Sequence, residues 1–284
     1  MKKKILVTGA SGFLGRRVVR YYKDKYLVFA PSHKEMDICD EQQVQKVFLQ
    51  WNPDIVIHCA AISDVGVCEK NPEASYQYNV KGMLHIAKVC KKINAICILC
   101  SSDQVYFGQN KAESWKEDDI LSPGNVYGRD KLLAEQFCQK ANPDCICLRL
   151  SWMYDTKTLY EKEHSDFIRT FMRNISEHKE MAYPVNDYRG LTDVNEVIAN
   201  MEKLFSIPGG VYNFGSPNHK NMYETVQDVF EQMDWNKSLL QKKENNFFNK
   251  TRNITMNQEK INAFEIYFSD TTDGIVHAIR KWHS

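Results

Sequence analysis

Hydrophobic and polar positions in the first 150 residues follow two patterns, short apolar runs and longer segments in which apolar residues recur at helical spacing. The apolar runs predict strands over Lys4–Thr8, Tyr26–Ala30, Asp54–Ala60, Ala95–Cys100 and Asp144–Leu150. The segments between them predict helices over Gly12–Lys23, Glu41–Gln50, Pro72–Ile93 and Asn125–Lys140. Because strands and helices alternate, the sequence predicts an α/β fold, a Rossmann-like doubly wound parallel sheet.

The pattern loosens after Trp152. The predicted elements there are helices over Asp166–Glu177, Asp193–Phe205 and Thr271–Trp282, and strands over Met181–Val185 and Gly210–Phe214. Residues 216–270 are rich in Asn, Lys and Gln and predict no clear element. We expect a nucleotide-binding domain over 1–151 with roughly 190–215, and a smaller, interwoven substrate lobe over roughly 152–189 and 216–284.

Composition excludes several classes of partner. Lys and Arg total 37 against 36 for Asp and Glu, so no strong field favours nucleic acid or an anionic membrane. No apolar run approaches the length of a membrane span. Several of the nine cysteines lie in apolar runs, as expected for free thiols in a reducing cytoplasm. Cys97-x-x-Cys100 has neither a second cysteine pair nor a nearby histidine, so no metal site is expected.

A glycine-rich turn, Gly9-Ala10-Ser11-Gly12-Phe13-Leu14-Gly15, follows the first strand and opens the first helix. This context is typical of a loop that holds a pyrophosphate at a helix N-terminus, although a turn without a ligand has the same local pattern. The second strand ends without a carboxylate until Glu35. Ser32, His33, Lys34 and Arg16 could surround a 2′-phosphate, so NADP(H) is favoured and NAD(H) remains possible.

Tyr127 and Lys131 are four residues apart, which places both side chains on one face of a helix. A phenol has a reference pKa of roughly 10, and a neighbouring ammonium pulls that pKa towards working pH. Ser102, at the end of a predicted strand, could hold a substrate oxygen beside this proton donor. A Tyr-x-x-x-Lys pair also occurs by chance on helices, and only the glycine turn and Ser102 in the same chain favour catalysis.

The order of motifs over about residues 3–215 resembles the extended short-chain dehydrogenase/reductases, above all the dTDP-4-dehydrorhamnose reductases and their sugar-nucleotide-binding relatives. The motifs that carry this resemblance are Gly9–Gly15, Met36–Asp40, His58–Ala61, Tyr78–Gly82, Ser101–Tyr106, Tyr127–Lys131 and Arg149–Trp152. The resemblance implies a reductase that transfers hydride from NADPH to a keto group of a nucleotide-linked deoxysugar. It leaves open an epimerase or dehydratase that retains NAD, and a non-catalytic NADP-binding regulatory subunit.

The resemblance also implies roles for single residues. Ser102 would bond the substrate oxygen, Tyr127 would deliver the proton, and Lys131 would bind the nicotinamide ribose. The implied cofactor-binding set is Gly9, Ser11, Gly12, Phe13, Leu14, Gly15, Ser32, Asp37, Ile38, Cys59, Ala60, Ala61, Asn79, Ser101, Tyr127 and Lys131. The implied substrate-binding set is Ser63, Val65, Ser102, Asp103 and Trp152. A homodimer is possible, as is common in this superfamily.

Two segments depart from the reductase pattern. Ile62–Glu69 replaces a Thr-Ala-Val-Asp-like run, and Asp187–Thr192 is a shortened form of an Asp-Gln-x-Gly-x-Pro-Thr segment. Both segments belong to the expected substrate side, so the sequence predicts the chemistry and leaves the sugar open.

Overall fold

The computed structural model describes residues 2–109, 111–160, 163, 165–245 and 251–282, and the chain divides into two compact units. The first unit takes the chain up to Val105, Ser122–Arg149 and Asn200–Tyr212. The second unit takes Tyr106–Leu121, Leu150–Ala199 and the chain from Asn213 onwards. Within the described ranges, no helix has both the length and the apolar character needed to cross a membrane.

The elements up to residue 150 follow the predicted order. They are β1 (Lys4–Thr8), α1 (Phe13–Tyr22), β2 (Leu27–Phe29), α2 (Glu41–Trp51), β3 (Ile55–His58), α3 (Val65–Lys70), α4 (Pro72–Tyr76), α5 (Met83–Ile93), β4 (Ile96–Ser102), α6 (Val126–Ala141) and β5 (Ile146–Leu150). The segment predicted as one helix over Pro72–Ile93 is instead α4, a π-helical turn over Gln77–Gly82, and α5. Helix α3 was not predicted, because its six residues are too few to show a period.

The rest of the chain forms shorter elements. They are β6 (Trp152–Tyr154), α7 (Phe167–Ser176), β7 (Met181–Pro184), β8 (Asp187–Tyr188), β9 (Leu191–Asp193), α8 (Val194–Met201), β10 (Gly210–Phe214), α9 (Met222–Gln232), β11 (Leu240–Lys243), β12 (Arg252–Asn253), α10 (Glu259–Asn262) and α11 (Thr271–Trp282). Strands β6 and β9, β7 and β11, and β8 and β12 pair in parallel. The expectation of no clear element over 216–270 was wrong, since α9, β11, β12 and α10 lie there.

A six-stranded sheet in the order β10-β5-β4-β3-β1-β2 positions the site. Strand β1 pairs in parallel with β2 and β3, and β3 pairs in parallel with β4, with Thr8 opposite His58 and His58 opposite Leu99. The predicted Rossmann-like fold is confirmed, and β10 joins this sheet beside β5. Carboxyl ends of parallel strands meet at one sheet edge, so β1, β3 and β4 bring their following loops together there.

Each unit has its own apolar core. In the first, the strand residues Leu6, Val56 and Leu99 pack with helix residues such as Phe48 and Ile86. In the second, α7, α9 and α11 supply most of the buried side chains around Tyr154. The central strands carry continuous apolar runs because helices cover both faces of such a sheet.

Candidate active site

The glycine turn between β1 and α1 has the shape of a phosphate cradle. Gly9 has φ +66°, and a Cβ at this position would lie 2.5 Å from the backbone nitrogen of Ala60, so only glycine fits. A Cβ on Gly15 would lie 2.3 Å from the carbonyl oxygen of Gly9, which shows how closely α1 approaches the turn. Gly12 caps α1 without a side-chain hydrogen bond, and the first turn has no acidic residue. The backbone N–H groups at the N-terminus of α1 therefore suit an anion such as a pyrophosphate.

A cavity of about 550 Å³ opens beside this turn. It is lined by Thr8, Gly9, Ala10, Ser11, Gly12, Ala30, Pro31, Ser32, His33, Met36, Ile38, Cys59, Ala60, Ala61, Ile62 and Tyr78. Its volume lies within the range of pockets that hold cofactors. Eight residues of the predicted cofactor set line it, namely Gly9, Ser11, Gly12, Ser32, Ile38, Cys59, Ala60 and Ala61.

Other residues of the predicted set lie outside the cavity wall. Phe13, Leu14 and Gly15 form the first turn of α1. Asp37 accepts a hydrogen bond from the backbone nitrogen of Cys39 at 2.9 Å and shapes its own turn. Sequence reasoning missed several lining residues, including Met36 and Tyr78, although both belong to motifs that carried the resemblance. The sequence alone could not identify them, because only the fold brings the loop after β2 and the π-helical turn to one cavity.

The loop after β2 holds one carboxylate close to a cavity residue. The backbone nitrogen of Ser32 donates to Glu35 at 2.7 Å, and this backbone hydrogen bond lowers the pKa of the Glu35 carboxyl group. His33 lines the cavity nearby and is mostly exposed. The loop therefore presents an imidazole and a hydroxyl to the cavity, while its first carboxylate is bound to its own backbone.

Asn79 supports the cavity wall from behind. Its side-chain oxygen accepts from the backbone nitrogen of Ile62 at 3.0 Å, and its nitrogen donates to the Ile62 carbonyl at 2.9 Å. The same amide also donates to Ser75 at 3.1 Å. Asn79 is buried in the π-helical turn, an irregularity that is frequent at functional sites. The structure thus places Asn79 as a positioning residue and not in the cavity wall.

The predicted catalytic residues come together where α6 approaches β4. A Cβ on Gly128 would lie 2.3 Å from the carbonyl oxygen of Gln104, so the first turn of α6 packs directly on the chain after β4. This close approach brings the Tyr127 phenol beside the Ser102 hydroxyl, which acts to lower the pKa of the phenol. The Ser102 hydroxyl also accepts from the backbone nitrogen of Gln104 at 3.2 Å. Tyr127 is 7% exposed, so its phenol faces little bulk water.

The direction of the pKa shift of Tyr127 differs from the prediction. Burial raises the pKa of the Tyr127 phenol above its ordinary value, and the Ser102 hydrogen bond opposes this only in part. The Nζ atom of Lys131 lies 5.7 Å from the centroid of the Tyr127 ring and donates to the carbonyl oxygen of Cys100 at 2.9 Å. Burial lowers the pKa of Lys131. In this structure the phenol is therefore protonated, as a proton donor must be.

The side chain of Ser101 has different contacts from the side chain of Ser102. Its hydroxyl donates to the Glu135 carboxylate, which also pairs with the Arg149 guanidinium at 2.7 Å. The side chains of Arg149 and Glu135 are 4% and 2% exposed. The structure thus places Ser101 in a buried ion-pair network that joins β4, α6 and β5, and not in the cavity wall.

The predicted substrate residues lie in several places. Ser63 precedes α3 and Val65 is its first residue, while Asp103 follows β4 and accepts from Ser102 at 3.2 Å. Trp152 lies in the second unit and is 44% exposed. The Arg189 guanidinium lies 4.7 Å from the centroid of the Trp152 indole ring. This stacked pair gives the second unit an exposed aromatic surface with a cation beside it.

Comparison with known proteins gives a consistent answer. The model of the RmlD substrate binding domain family matches residues 2–279, which extends past the range 3–215 marked by the motifs. The spore coat polysaccharide biosynthesis protein SpsK of Bacillus subtilis is 31% identical over 250 residues, 87% of this chain and 86% of that protein. A dTDP-4-dehydrorhamnose reductase of Mycolicibacterium smegmatis is 34% identical over 174 residues, 61% of this chain and 51% of that protein.

A solved structure agrees with the fold. The dTDP-4-dehydrorhamnose reductase of Bacillus anthracis, determined in complex with NADP, superposes with a TM-score of 0.85 at 22% identity and covers 99% of both chains. The predicted enzyme class and the favoured cofactor agree with the names that these proteins carry. The predicted family is confirmed: the chain belongs to the RmlD substrate binding domain family.

Proposed function

We propose that the protein is an NADPH-dependent oxidoreductase that reduces a keto group on a nucleotide-linked deoxysugar, by the reaction of dTDP-4-dehydrorhamnose reductase or a close variant of it. The observation that carries the proposal is the convergence of Tyr127, Ser102 and Lys131: the first turn of α6 packs on the chain after β4, and the Nζ atom of Lys131 lies 5.7 Å from the centroid of the tyrosine ring. The unit that holds these residues also holds the glycine turn and its cavity. Family membership and the names of the relatives support the same reaction.

The cavity fits a dinucleotide cofactor. Gly9 and Gly12 leave room for a backbone approach, and the uncapped start of α1 supplies amide donors for the pyrophosphate. Ser32 and His33 favour a 2′-phosphate over a bare 2′-hydroxyl, because the described residues that line the cavity include no Asp or Glu. When bound, NADPH supplies the hydride. The side chains of this chain then have to hold the sugar and move one proton.

Tyr127 and Ser102 perform that second task. The buried phenol keeps its proton until an alkoxide forms beside it, and the Ser102 hydroxyl holds the same oxygen by a hydrogen bond. Donors fixed before the reaction stabilise developing charge better than water does. Lys131 is anchored on the Cys100 carbonyl, from where its amino group can turn to a ribose. Ser63, Val65, Asp103 and Trp152 are proposed to contact the nucleotide sugar.

Replacing Tyr127 by Phe tests the mechanism. The variant should bind NADPH about as well as the original protein and lose about 10²- to 10⁴-fold in kcat, the usual contribution of a positioned general acid. NADPH oxidation with dTDP-4-dehydrorhamnose measures kcat, and fluorescence of bound NADPH measures affinity. Tyr22→Phe is the matched control, since Tyr22 is a fully buried tyrosine of α1 that belongs to neither set of site residues. Near-original turnover in Tyr127→Phe would refute the proton-donor role.

The same NADPH oxidation assay distinguishes a reductase from the two alternative functions. An epimerase or dehydratase would convert substrate without net consumption of NADPH, and a regulatory subunit would bind NADP and convert nothing. A thermal-shift panel with NADP(H), NAD(H) and nucleotide sugars compares ligand classes, because a ligand that binds the folded state raises Tm. Cytoplasmic location, a homodimer and the lack of nucleic-acid binding stay predictions, which fractionation, light scattering and a gel-shift assay would check.

A further inference from the structure

Two cysteines face each other at the edge of the sheet beside the nucleotide cavity. His58 of β3 is paired with Leu99 of β4, and the next residues along the two strands are Cys59 and Cys100. Facing positions on parallel strands send their side chains to the same face of the sheet. The two sulfur atoms are accordingly 3.9 Å apart.

Access distinguishes this pair from the other thiols. All nine cysteines lie within the described ranges as free thiols, and only Cys39 and Cys59 are not buried. Of those two, Cys59 lines the cavity, and Cys100 behind it is 8% exposed. A small molecule that enters the cavity therefore reaches Cys59, whose sulfur lies 3.9 Å from the sulfur of Cys100.

The surroundings of the pair favour a thiolate on Cys100, whereas the hydrogen bond with Cys100 and burial raise the pKa of Cys59. The hydrogen bond with Cys59 and the nearby charge of Lys131 both lower the pKa of Cys100, against the effect of burial. The Nζ atom of Lys131 is fixed there, because it donates to the backbone carbonyl of Cys100 itself at 2.9 Å. Oxidants and electrophiles react with thiolates, so a cation held next to a thiol pair raises its reactivity.

We propose that Cys59 and Cys100 form an oxidation site in the wall of the nucleotide cavity, which two-electron oxidants of the peroxide class convert into a disulfide. In the first step, a thiolate takes one oxygen from hydrogen peroxide, giving a sulfenic acid and hydroxide. In the second step, the neighbouring thiol displaces the sulfenic hydroxyl as water, and the S–S bond forms. The two electrons pass from the sulfurs to the peroxide oxygens.

Bond formation would change the cavity wall. The sulfurs would move from 3.9 Å to the bonded distance of about 2.05 Å, which draws Cys59 towards β4. A nucleotide in the cavity would in turn cover Cys59 and slow its oxidation. This second statement rests on the proposed function, whereas the disulfide itself rests only on the two sulfurs and their access.

The experiment treats the full-length protein with hydrogen peroxide, with and without saturating NADP⁺, and maps cysteine states by mass spectrometry of non-reduced digests. Cys145 and Cys147 are the matched control pair, since their sulfurs are 4.0 Å apart but both residues are fully buried. We expect a Cys59–Cys100 crosslink that dithiothreitol reverses and that forms at least about tenfold faster than any oxidation of the control pair. Cys100→Ser should instead accumulate sulfenic acid on Cys59, which dimedone traps.

Each result has one meaning. Cys59 and Cys100 that stay reduced, or that oxidise no faster than Cys145 and Cys147, would overturn the proposal. Because that readout comes from the unsubstituted protein, it holds even where a serine variant fails to fold. A crosslink that forms equally fast with NADP⁺ would support the oxidation site and count against NADP in this cavity, so failures of the two proposals are distinguishable.

Discussion

His58 makes the stability of the first unit depend on pH in a way that the structure specifies. The residue is buried, and its Nδ1 atom lies 2.7 Å from the Thr8 hydroxyl oxygen. That oxygen also accepts a hydrogen bond from the backbone nitrogen of Ala60 at 3.3 Å, so a neutral imidazole ring already has a hydrogen-bond partner at Nδ1. The ring is thus held in its neutral form, and burial, with the charge of Lys131, lowers the pKa of His58 to about 3.

The sign and size of the effect follow from linkage. The unfolded chain takes up a proton at this histidine below a pKa of about 6.5, while the folded chain does so only near 3, so acid favours unfolding between these values. From pH 7 to pH 5 this single group should remove about 2 kcal/mol from the free energy of unfolding, at about 1.4 kcal/mol per pKa unit. Below pH 3 both states are protonated and the loss stops growing.

His58→Gln tests the reasoning, because glutamine does not titrate and its side-chain amide can donate a hydrogen bond to the Thr8 hydroxyl or accept one from it. Urea unfolding of both proteins at pH 7 and pH 5, followed by circular dichroism, gives four free energies of unfolding. The drop from pH 7 to pH 5 should be about 2 kcal/mol smaller in the variant, whatever its stability at pH 7. Equal drops in the two proteins would show that His58 binds the same number of protons in the folded and unfolded states, which would refute the reasoning.

Three further substitutions test other parts of the structure. Arg149→Met should lower the free energy of unfolding by about 3–5 kcal/mol because it leaves the buried Glu135 carboxylate without its cation, and adding Glu135→Leu should restore most of the loss in the same urea titration. Gly9→Ala should cost about 2–5 kcal/mol through left-handed strain and the contact with Ala60, whereas helical Gly66→Ala should stay within about 1 kcal/mol. Asn79→Ala should weaken NADP⁺ binding about tenfold by calorimetry with little change in kcat, and unchanged affinity would reject its positioning role.

Apolar runs in the first half of the chain were sufficient to predict the sheet. Strand β1 and helix α2 begin at the predicted residues. The apolar run Ile5–Val7 is fully buried, as a central strand of the sheet requires. The π-helical turn inside the predicted helix over Pro72–Ile93 was not visible, because the apolar residues of α5 recur at helical spacing on their own and the six residues of the turn are too few to show a separate period. Helix α9 did carry a readable signal, the capping box of Asn221 and Glu224.

Some properties of the site depend on contacts between residues that are distant in sequence, and these properties could not be predicted. Tyr127, Ser102 and Lys131 were found from spacing and order, and the structure brings them together. The raised pKa of Tyr127 depends on its burial in the fold, which the helix spacing does not contain. The resemblance assigned Ser101 to the cofactor, whereas its side chain leaves the strand on the side opposite to that of Ser102, towards Glu135.

The discontinuity of the first unit limits how this chain can be divided by cloning. A gene fragment that ends after β5 would encode the glycine turn and Tyr127 but not β10, whose Gly210 nitrogen donates to the Cys145 carbonyl at 2.9 Å. It would also leave Lys25 and Tyr26 without the Glu202 carboxylate that both contact. The first unit is therefore not a transplantable N-terminal module, because it includes the internal segment Asn200–Tyr212.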